Sequence, residues 1–222
     1  MKELSVFDII GPNMIGPSSS HTAGALKIAR VAYKLAPKII SKVIFILYGS
    51  FAKTYRGHGT DRALVAGLLG MGQEDERIKD AFTYAQEAGL QYHFETSEDE
   101  HIKHPNTVQI IMEDEQGRPF SIVGSSIGGG AISIDRVNGM EVFFAGDDET
   151  LFITHEDKTG VVAHITQCLS EWRINIAYIR AYREEKGAVA STIIETDQPI
   201  CDEVIEAIMK NPAVQYAKKI KL

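Results

Sequence analysis

Four hydroxyl residues surround a histidine near the start of the sequence. The segment "IGPSSSHTAG" carries, on either side of His21, the hydroxyl groups of Ser18, Ser19, Ser20 and Thr22. A helical pattern of apolar residues follows Gly24, and the start of a helix favours an anion because its N–H groups are free. Helix capping needs only one of these hydroxyls. The segment therefore predicts a contact with a substrate carboxylate, with helix capping as the alternative.

A second histidine lies in the glycine-flanked loop "YRGHGTDRA", after the apolar run "KVIFILYGS". Loops at the carboxyl ends of strands bind ligands in open α/β sheets, and imidazole exchanges protons near neutral pH. We therefore predict that His58 is an acid or base and that Arg56, Arg62 and Thr60 contact the substrate. The alternative is a glycine-rich turn with a solvated histidine, in which Thr60 or Asp61 only caps the next helix.

Regular elements must position these two loops. The sequence predicts a helix after Gly24 and a strand over 42–50, covered on both faces and ending at Gly49 in a loop. Two more helices are expected in "DRALVAGLLG" and "DERIKDAFTYAQEAG", each opened by an acidic cap and closed by glycine. Residues 107–144 are rich in β-formers. The aperiodic stretch "AGDDET" places a boundary near residue 148, which gives domains 1–148 and 149–222.

Two further segments carry weaker signals. His101 and His104 lie in a segment that ends in "HPNT", where the proline favours an extended turn, so both are expected to be loop residues. The segment "GSSIGGGAIS" is either an anion-binding nest of backbone N–H groups or a bend between strands. It lacks both glycine-rich nucleotide-binding patterns, which disfavours a nucleotide ligand.

Residues 149–222 have the pattern of a small independent unit. Strand and helix signals alternate from "TLFITH" to "VQYAKKIKL" in the order βαββαβ, which is the ferredoxin-like arrangement. Within it, Cys168 shares an apolar helical face and is expected to be a buried thiol.

The start of this unit resembles an ACT domain, a small-molecule-sensing module of amino-acid enzymes. The residues that carry the resemblance are the turn 157–160 after the first strand and Asn175 before the second. A turn that leads into a helix suits a carboxylate, so we predict an effector site formed by His155, Asp157, Gly160 and Asn175. The resemblance implies paired domains with the ligand between them. Simple helix capping by Asp157 and a loop role for Asn175 are the alternative.

Composition limits the classes of partner. The net charge of −7, with no basic runs, disfavours nucleic acid and anionic membranes. No stretch of about 18 apolar residues occurs, so we expect a cytoplasmic protein. The two cysteines, Cys168 and Cys201, are too few for a disulfide framework or an all-cysteine metal site.

The motifs "IGPSSSHTAG", "GSFAKTYRGHGTD" and "HPNT", followed by the ACT-like unit, resemble the beta chains of bacterial iron–sulfur L-serine dehydratases. The resemblance implies a mixed α/β (α+β) fold, in which the first domain is similar to the allosteric-substrate-binding domain of some phosphoglycerate dehydrogenases. It also implies deamination of L-serine to pyruvate and ammonia with a [4Fe–4S] cluster. Because such a cluster commonly needs three or four thiolates, we expect an alpha chain to hold it and this chain to hold no metal.

In this interpretation the two chains share one active site. His58 is the first candidate for the acid or base and His21 the second, while the hydroxyls of the first loop, Arg56 and Thr60 bind L-serine. The iron of the partner would act on the substrate hydroxyl as a Lewis acid. The alternative is a non-catalytic regulatory protein that binds an amino acid through its ACT-like unit.

Overall fold

In a computed structural model, the chain forms two compact units, Met1–Gly139 and Met140–Leu222. The structure describes residues 13–36, 40–99, 102, 104–183 and 185–222, so His101 lies outside the described residues. The division falls in a tight turn, where Asn138 and Gly139 both have positive φ values of 50° and 84°. The sequence analysis placed the boundary near residue 148, after one further strand.

The first unit combines a sheet with short helices. Its strands are β1 (Ile40–Tyr48), β2 (Gln91–Ser97), β3 (Thr107–Asp114), β4 (Pro119–Gly128) and β5 (Ala131–Val137). Its helices are α1 (Ala25–Leu35), α2 (Gly49–Thr54), α3 (Thr60–Leu68) and α4 (Ala81–Glu87), with a π-helical turn at Ser19–Gly24 and a 3₁₀ turn at Glu76–Asp80. The five strands have the order β2-β1-β3-β4-β5, in which only the β1–β2 pair is parallel.

Apolar side chains of β1 form the centre of this unit. Val43, Phe45 and Leu47 are fully buried, whereas Ile44 and Ile46 are only partly buried. The prediction that both faces of this strand are covered is therefore wrong for the second face. Alternation along the strand orients successive side chains to opposite faces, and only one face is fully covered.

Three local predictions also need correction. The helix expected after Gly24 is α1, which a π-helical turn at Ser19–Gly24 precedes, whereas the loop expected after β1 is the helix α2. Helix α3 begins after Gly59, whose φ is +66°, without the expected acidic side-chain cap. The helix expected in "DERIKDAFTYAQEAG" is divided into the 3₁₀ turn, capped by Asp75, and α4. For α2, the reason is that the Pro105 carbonyl oxygen, distant in sequence, accepts its first N–H groups, as described below.

The second unit confirms the ferredoxin-like prediction. After strand β6 (Met140–Phe144) come β7 (Glu149–Glu156), α5 (Val161–Glu171), β8 (Ile176–Arg183), β9 (Val189–Thr196), α6 (Asp202–Met209) and β10 (Val214–Ile220). Its four-stranded sheet has the order β10-β7-β9-β8. Cys168 is buried among apolar side chains, as expected. The overall fold class is thus α+β, as predicted.

A close helix contact in the first unit leads to a test. A Cβ added at Gly67 of α3 would lie 2.5 Å from the Leu26 carbonyl oxygen and 2.6 Å from Ala29 Cβ. Because backbone must move to admit it, we predict that Gly67→Ala lowers the free energy of unfolding by about 1–3 kcal/mol, despite the better helix propensity of alanine.

Denaturant unfolding measures this effect. The control is Gly72→Ala, since nothing lies within 4 Å of its added Cβ. Equal stability of the two variants would contradict the close contact.

Candidate active site

The two histidine-bearing segments lie against each other in the first unit. Thr22 Oγ1 donates a hydrogen bond to the His58 carbonyl oxygen at 2.9 Å. The rings of His21 and His58 meet edge to face, with centroids 4.7 Å apart. The structure therefore brings together the two residues that the sequence offered as acid–base candidates.

The serine run forms the first turn before α1. The Ser18 side chain accepts the His21 N–H at 3.0 Å, and its carbonyl oxygen accepts the Thr22 N–H at 2.9 Å. Ser18 is thus the helix cap. In the described ranges, the N–H groups of Ser19 and Ser20 meet no acceptor. Both residues are partly buried, so this turn retains two donors that suit a carboxylate.

Hydroxyl groups flank the His21 ring on both sides. Nε2 lies 3.0 Å from Ser50 Oγ, and Nδ1 lies 3.5 Å from Ser18 Oγ. Phe51 contacts the ring edge to face at 5.4 Å. Burial lowers the pKa of His21 below its usual value, and the neighbouring His58 lowers it further. His21 is therefore biased towards the neutral form.

His58 differs from His21 in its contacts. Its Nδ1 is buried and has no hydrogen-bond partner among the residues that the structure describes. A buried ring nitrogen without a hydrogen-bond partner is costly unless a ligand or a bound water supplies one. The residue also lines an open surface depression of about 540 Å³, together with residues 53–57.

The other predicted substrate contacts of this loop are less close. Arg56 is exposed in the same depression and its guanidinium lies over the Tyr55 ring, 5.3 Å from the centroid. Arg62 instead lies over Phe82 at 5.7 Å. Thr60 is fully buried, and its Oγ1 is another buried atom without a partner in the described chain.

Two features of the site were missed by the sequence analysis. Ser50 was placed in a loop, although its hydroxyl contacts His21. The "HPNT" segment was assigned no role, although the Pro105 carbonyl oxygen accepts the N–H groups of Ser50 at 2.7 Å and Phe51 at 3.4 Å. The motif "GSFAKTYRGHGTD" contained Ser50, but only the fold brings it to His21.

The glycine-rich segment forms the hairpin between β4 and β5. Gly128, Gly129 and Gly130 all have positive φ values, which matches the bend that the sequence analysis offered as an alternative. Ser126 of β4 lies beside the serine-rich turn: a Cβ added at Gly24 would be only 2.0 Å from the Ser126 Oγ.

In the second unit, the predicted effector residues already have partners. His155 is buried, with Nε2 2.8 Å from Thr192 Oγ1 and Nδ1 2.8 Å from the Glu156 carbonyl oxygen. Asp157 accepts the Gly187 N–H at 3.0 Å and Arg183 at 2.9 Å. The hydrogen bond from the Gly187 N–H is the largest cause of a lowered pKa of Asp157, and the bond from Arg183 is the next. Gly160, with φ of +92°, is the N-cap residue of α5, and its carbonyl oxygen accepts the His164 N–H at 2.9 Å.

Asn175 lies at the other end of the sheet from Asp157. Asn175 precedes Ile176, which pairs with Thr196 of β9. Thr196 in turn pairs with Glu149 at the start of β7, whereas Asp157 follows the end of β7. At about 3.3 Å per residue, roughly 20 Å separates the two ends. Asn175 donates to Asp197 at 2.5 Å, and its N–H donates to Gln198 Oε1 at 2.6 Å. One chain therefore does not assemble the four predicted effector residues.

The described residues offer no group of three or more His, Cys, Asp or Glu side chains that could hold a metal ion. Burial raises the pKa of the Cys168 thiol, with a smaller effect of Glu171, and this disfavours a thiolate ligand. Cys201 is the only other cysteine of the chain. These donors do not fit a [4Fe–4S] cluster. Of the helices in the described ranges, none is long and apolar enough to cross a membrane.

Comparisons with known proteins agree with this architecture. The family model "Serine dehydratase beta chain" matches residues 5–121. The probable L-serine dehydratase beta chain of Bacillus subtilis is 44% identical over 99% of both chains, and the L-serine dehydratase beta chain of Peptoniphilus asaccharolyticus is 38% identical over 100% of both. A D-3-phosphoglycerate dehydrogenase of Bacillus subtilis is 24% identical over 88% of this chain and 37% of its own length.

The fold and the histidine pair define an α+β protein with a candidate acid–base site in its first unit and a ferredoxin-like second unit. The chain belongs to the serine dehydratase beta chain family.

The lowered pKa of His21 predicts a pH dependence of stability. An unfolded chain protonates this histidine near pH 6.5, before the folded chain does, so stability is retained above that pH and lost as pH falls below it. We predict that the Tm of the wild type falls more between pH 7.5 and 5.5 than that of His21→Gln.

Scanning calorimetry at the two pH values measures the difference. The control is His93→Gln, whose ring is exposed on β2 and which should retain the wild-type slope. Parallel slopes for the wild type and His21→Gln would contradict the proposed burial of a neutral ring.

Proposed function

We propose that this chain is the beta subunit of an iron–sulfur L-serine dehydratase, which converts L-serine to pyruvate and ammonia together with an alpha chain that carries a [4Fe–4S] cluster. The observation that supports this best is the meeting of His21 and His58 beside a turn whose first two N–H groups meet no acceptor among the described residues. The two cysteines of this chain are too few to hold such a cluster, which supports the proposal that the alpha chain carries it.

This chain would bind the substrate carboxylate and handle its α-proton. The N–H groups and hydroxyls of Ser19 and Ser20, with Arg56 at the rim, suit a carboxylate. His58 is the better candidate for the base, because it lines the open depression, whereas both nitrogens of His21 face hydroxyls. Loss of the α-proton and of the hydroxyl forms an enamine, which hydrolyses to pyruvate and ammonia.

The second unit is proposed to sense an amino acid in a pair of chains. Strand β8 is an edge strand with exposed Tyr178 and Ile179, so a second copy could pair with it in antiparallel fashion. That pairing would bring Asn175 of one copy towards the Asp157 turn of the other, which a single chain separates. A cytoplasmic location is part of the same proposal.

Reconstitution of the two chains tests the catalytic proposal. We predict that the wild-type beta chain, mixed anaerobically with a cluster-bearing alpha chain, forms pyruvate from L-serine, while either chain alone does not. His58→Ala should lower kcat by about 10²–10⁴-fold, which is the usual contribution of a general base.

The matched control is His93→Ala, which removes an exposed histidine of β2 and should retain wild-type turnover. Near wild-type turnover of His58→Ala would limit this residue to a structural role. Failure of the wild-type pair at every ratio would instead support the amino-acid-binding regulatory protein.

The sensing proposal has a separate test on the isolated beta chain. We predict that L-serine raises its Tm and that Asn175→Ala abolishes this rise. Loss of the exposed contact with Asp197 should cost the unliganded chain no more than about 1 kcal/mol.

Thermal unfolding with and without L-serine measures both effects. Gln167→Ala, which removes an exposed side chain of α5 that contacts Glu171, is the control and should retain the rise. An unchanged response of Asn175→Ala would remove Asn175 from the effector site.

A further inference from the structure

Ser50 holds the His21 ring from outside its own helical turn. Its Oγ lies 3.0 Å from His21 Nε2, across a sequence separation of 29 residues. The other hydroxyl, of Ser18, is 3.5 Å from Nδ1 and already accepts the His21 N–H. The contact with Ser50 is therefore the shorter of the two hydroxyl contacts of the ring.

The position of Ser50 is fixed by its backbone. Gly49 turns the chain from β1 into α2 at φ of +53°, and a Cβ there would lie 2.6 Å from the Pro105 carbonyl oxygen. That oxygen accepts the Ser50 N–H at 2.7 Å. The Ser50 carbonyl oxygen accepts Thr54 Oγ1 at 2.8 Å. Both backbone groups of Ser50 are thus held, which fixes the point from which its side chain reaches the ring.

We infer that Ser50 is a positioning residue for His21, and that Gly49 and Pro105 act on the site through it. A hydroxyl can donate to Nε2 or accept from it, so the contact survives a change of tautomer. Fixing this ring also fixes the face that it presents to His58. In this assignment, Pro105 of the "HPNT" segment acts through its carbonyl oxygen, which holds the start of α2.

The first test uses the isolated beta chain and requires no turnover. In Ser50→Ala, the ¹⁵N resonances of the His21 ring should shift and its titration midpoint should move, while those of His164 in the second unit stay unchanged. Ser50→Thr keeps a hydroxyl at the same position and should restore the wild-type spectrum. The control Ser41→Ala removes a hydroxyl from the opposite end of β1, where it contacts the Glu113 carbonyl oxygen.

The second test rests on the proposed function and uses the reconstituted pair. We expect Ser50→Ala to lower kcat by about 10–100-fold with KM changed less than about threefold, because a misplaced catalytic ring affects turnover more than binding. Ser50→Thr should recover most of the loss, and Ser41→Ala should behave as the wild type.

The outcomes of the two tests are distinguishable. Unchanged His21 resonances in Ser50→Ala would overturn the positioning role, whatever the pair does. If the His21 resonances shift in the isolated Ser50→Ala chain but the reconstituted wild-type pair forms no pyruvate, the positioning role is supported and the proposed function is overturned. Wild-type kcat in Ser50→Ala, with a working pair, would overturn its importance for the reaction.

Discussion

The hydrogen bond from Thr22 Oγ1 to the His58 carbonyl oxygen is the contact on which the candidate site depends. It joins a helix-initiating turn to a glycine-flanked loop across 36 residues of sequence. It ties the backbone of the His58 loop directly to the turn that carries His21. The rings lie 4.7 Å apart, and His58 adds to burial, the larger cause, in lowering the pKa of His21.

The two histidines lie in unlike surroundings, and this difference suits two roles. His21 is enclosed by Phe51 and two hydroxyls, and burial favours its neutral form. His58 lies at the edge of an open depression and has one ring nitrogen without a partner in the described residues. A fixed neutral ring beside one that can accept a proton is a common arrangement for acid–base chemistry. The open side of the depression is where a second chain could complete the site.

The sequence predicted the elements whose structure depends on residues close to each other along the chain. The strand signal of β7 and the apolar face of α5 that includes Cys168 helped to predict the second unit. The residue types around His21 and His58 were sufficient to nominate both loops. Helix α2 was missed because its first N–H groups are satisfied by Pro105, far along the chain. Strand β2 was missed because it is an edge strand of mostly polar, exposed residues, stabilised by its pairing with β1.

The claim that His21 and His58 act as one unit is tested most directly by a double-mutant cycle on turnover. The measurement compares kcat/KM of His21→Asn, His58→Asn and the double variant, each reconstituted with the alpha chain. Residues that act as a unit are strongly non-additive, so the double variant should lose no more than about threefold beyond the worse single variant. If the two losses multiply, the histidines act independently and the account is contradicted.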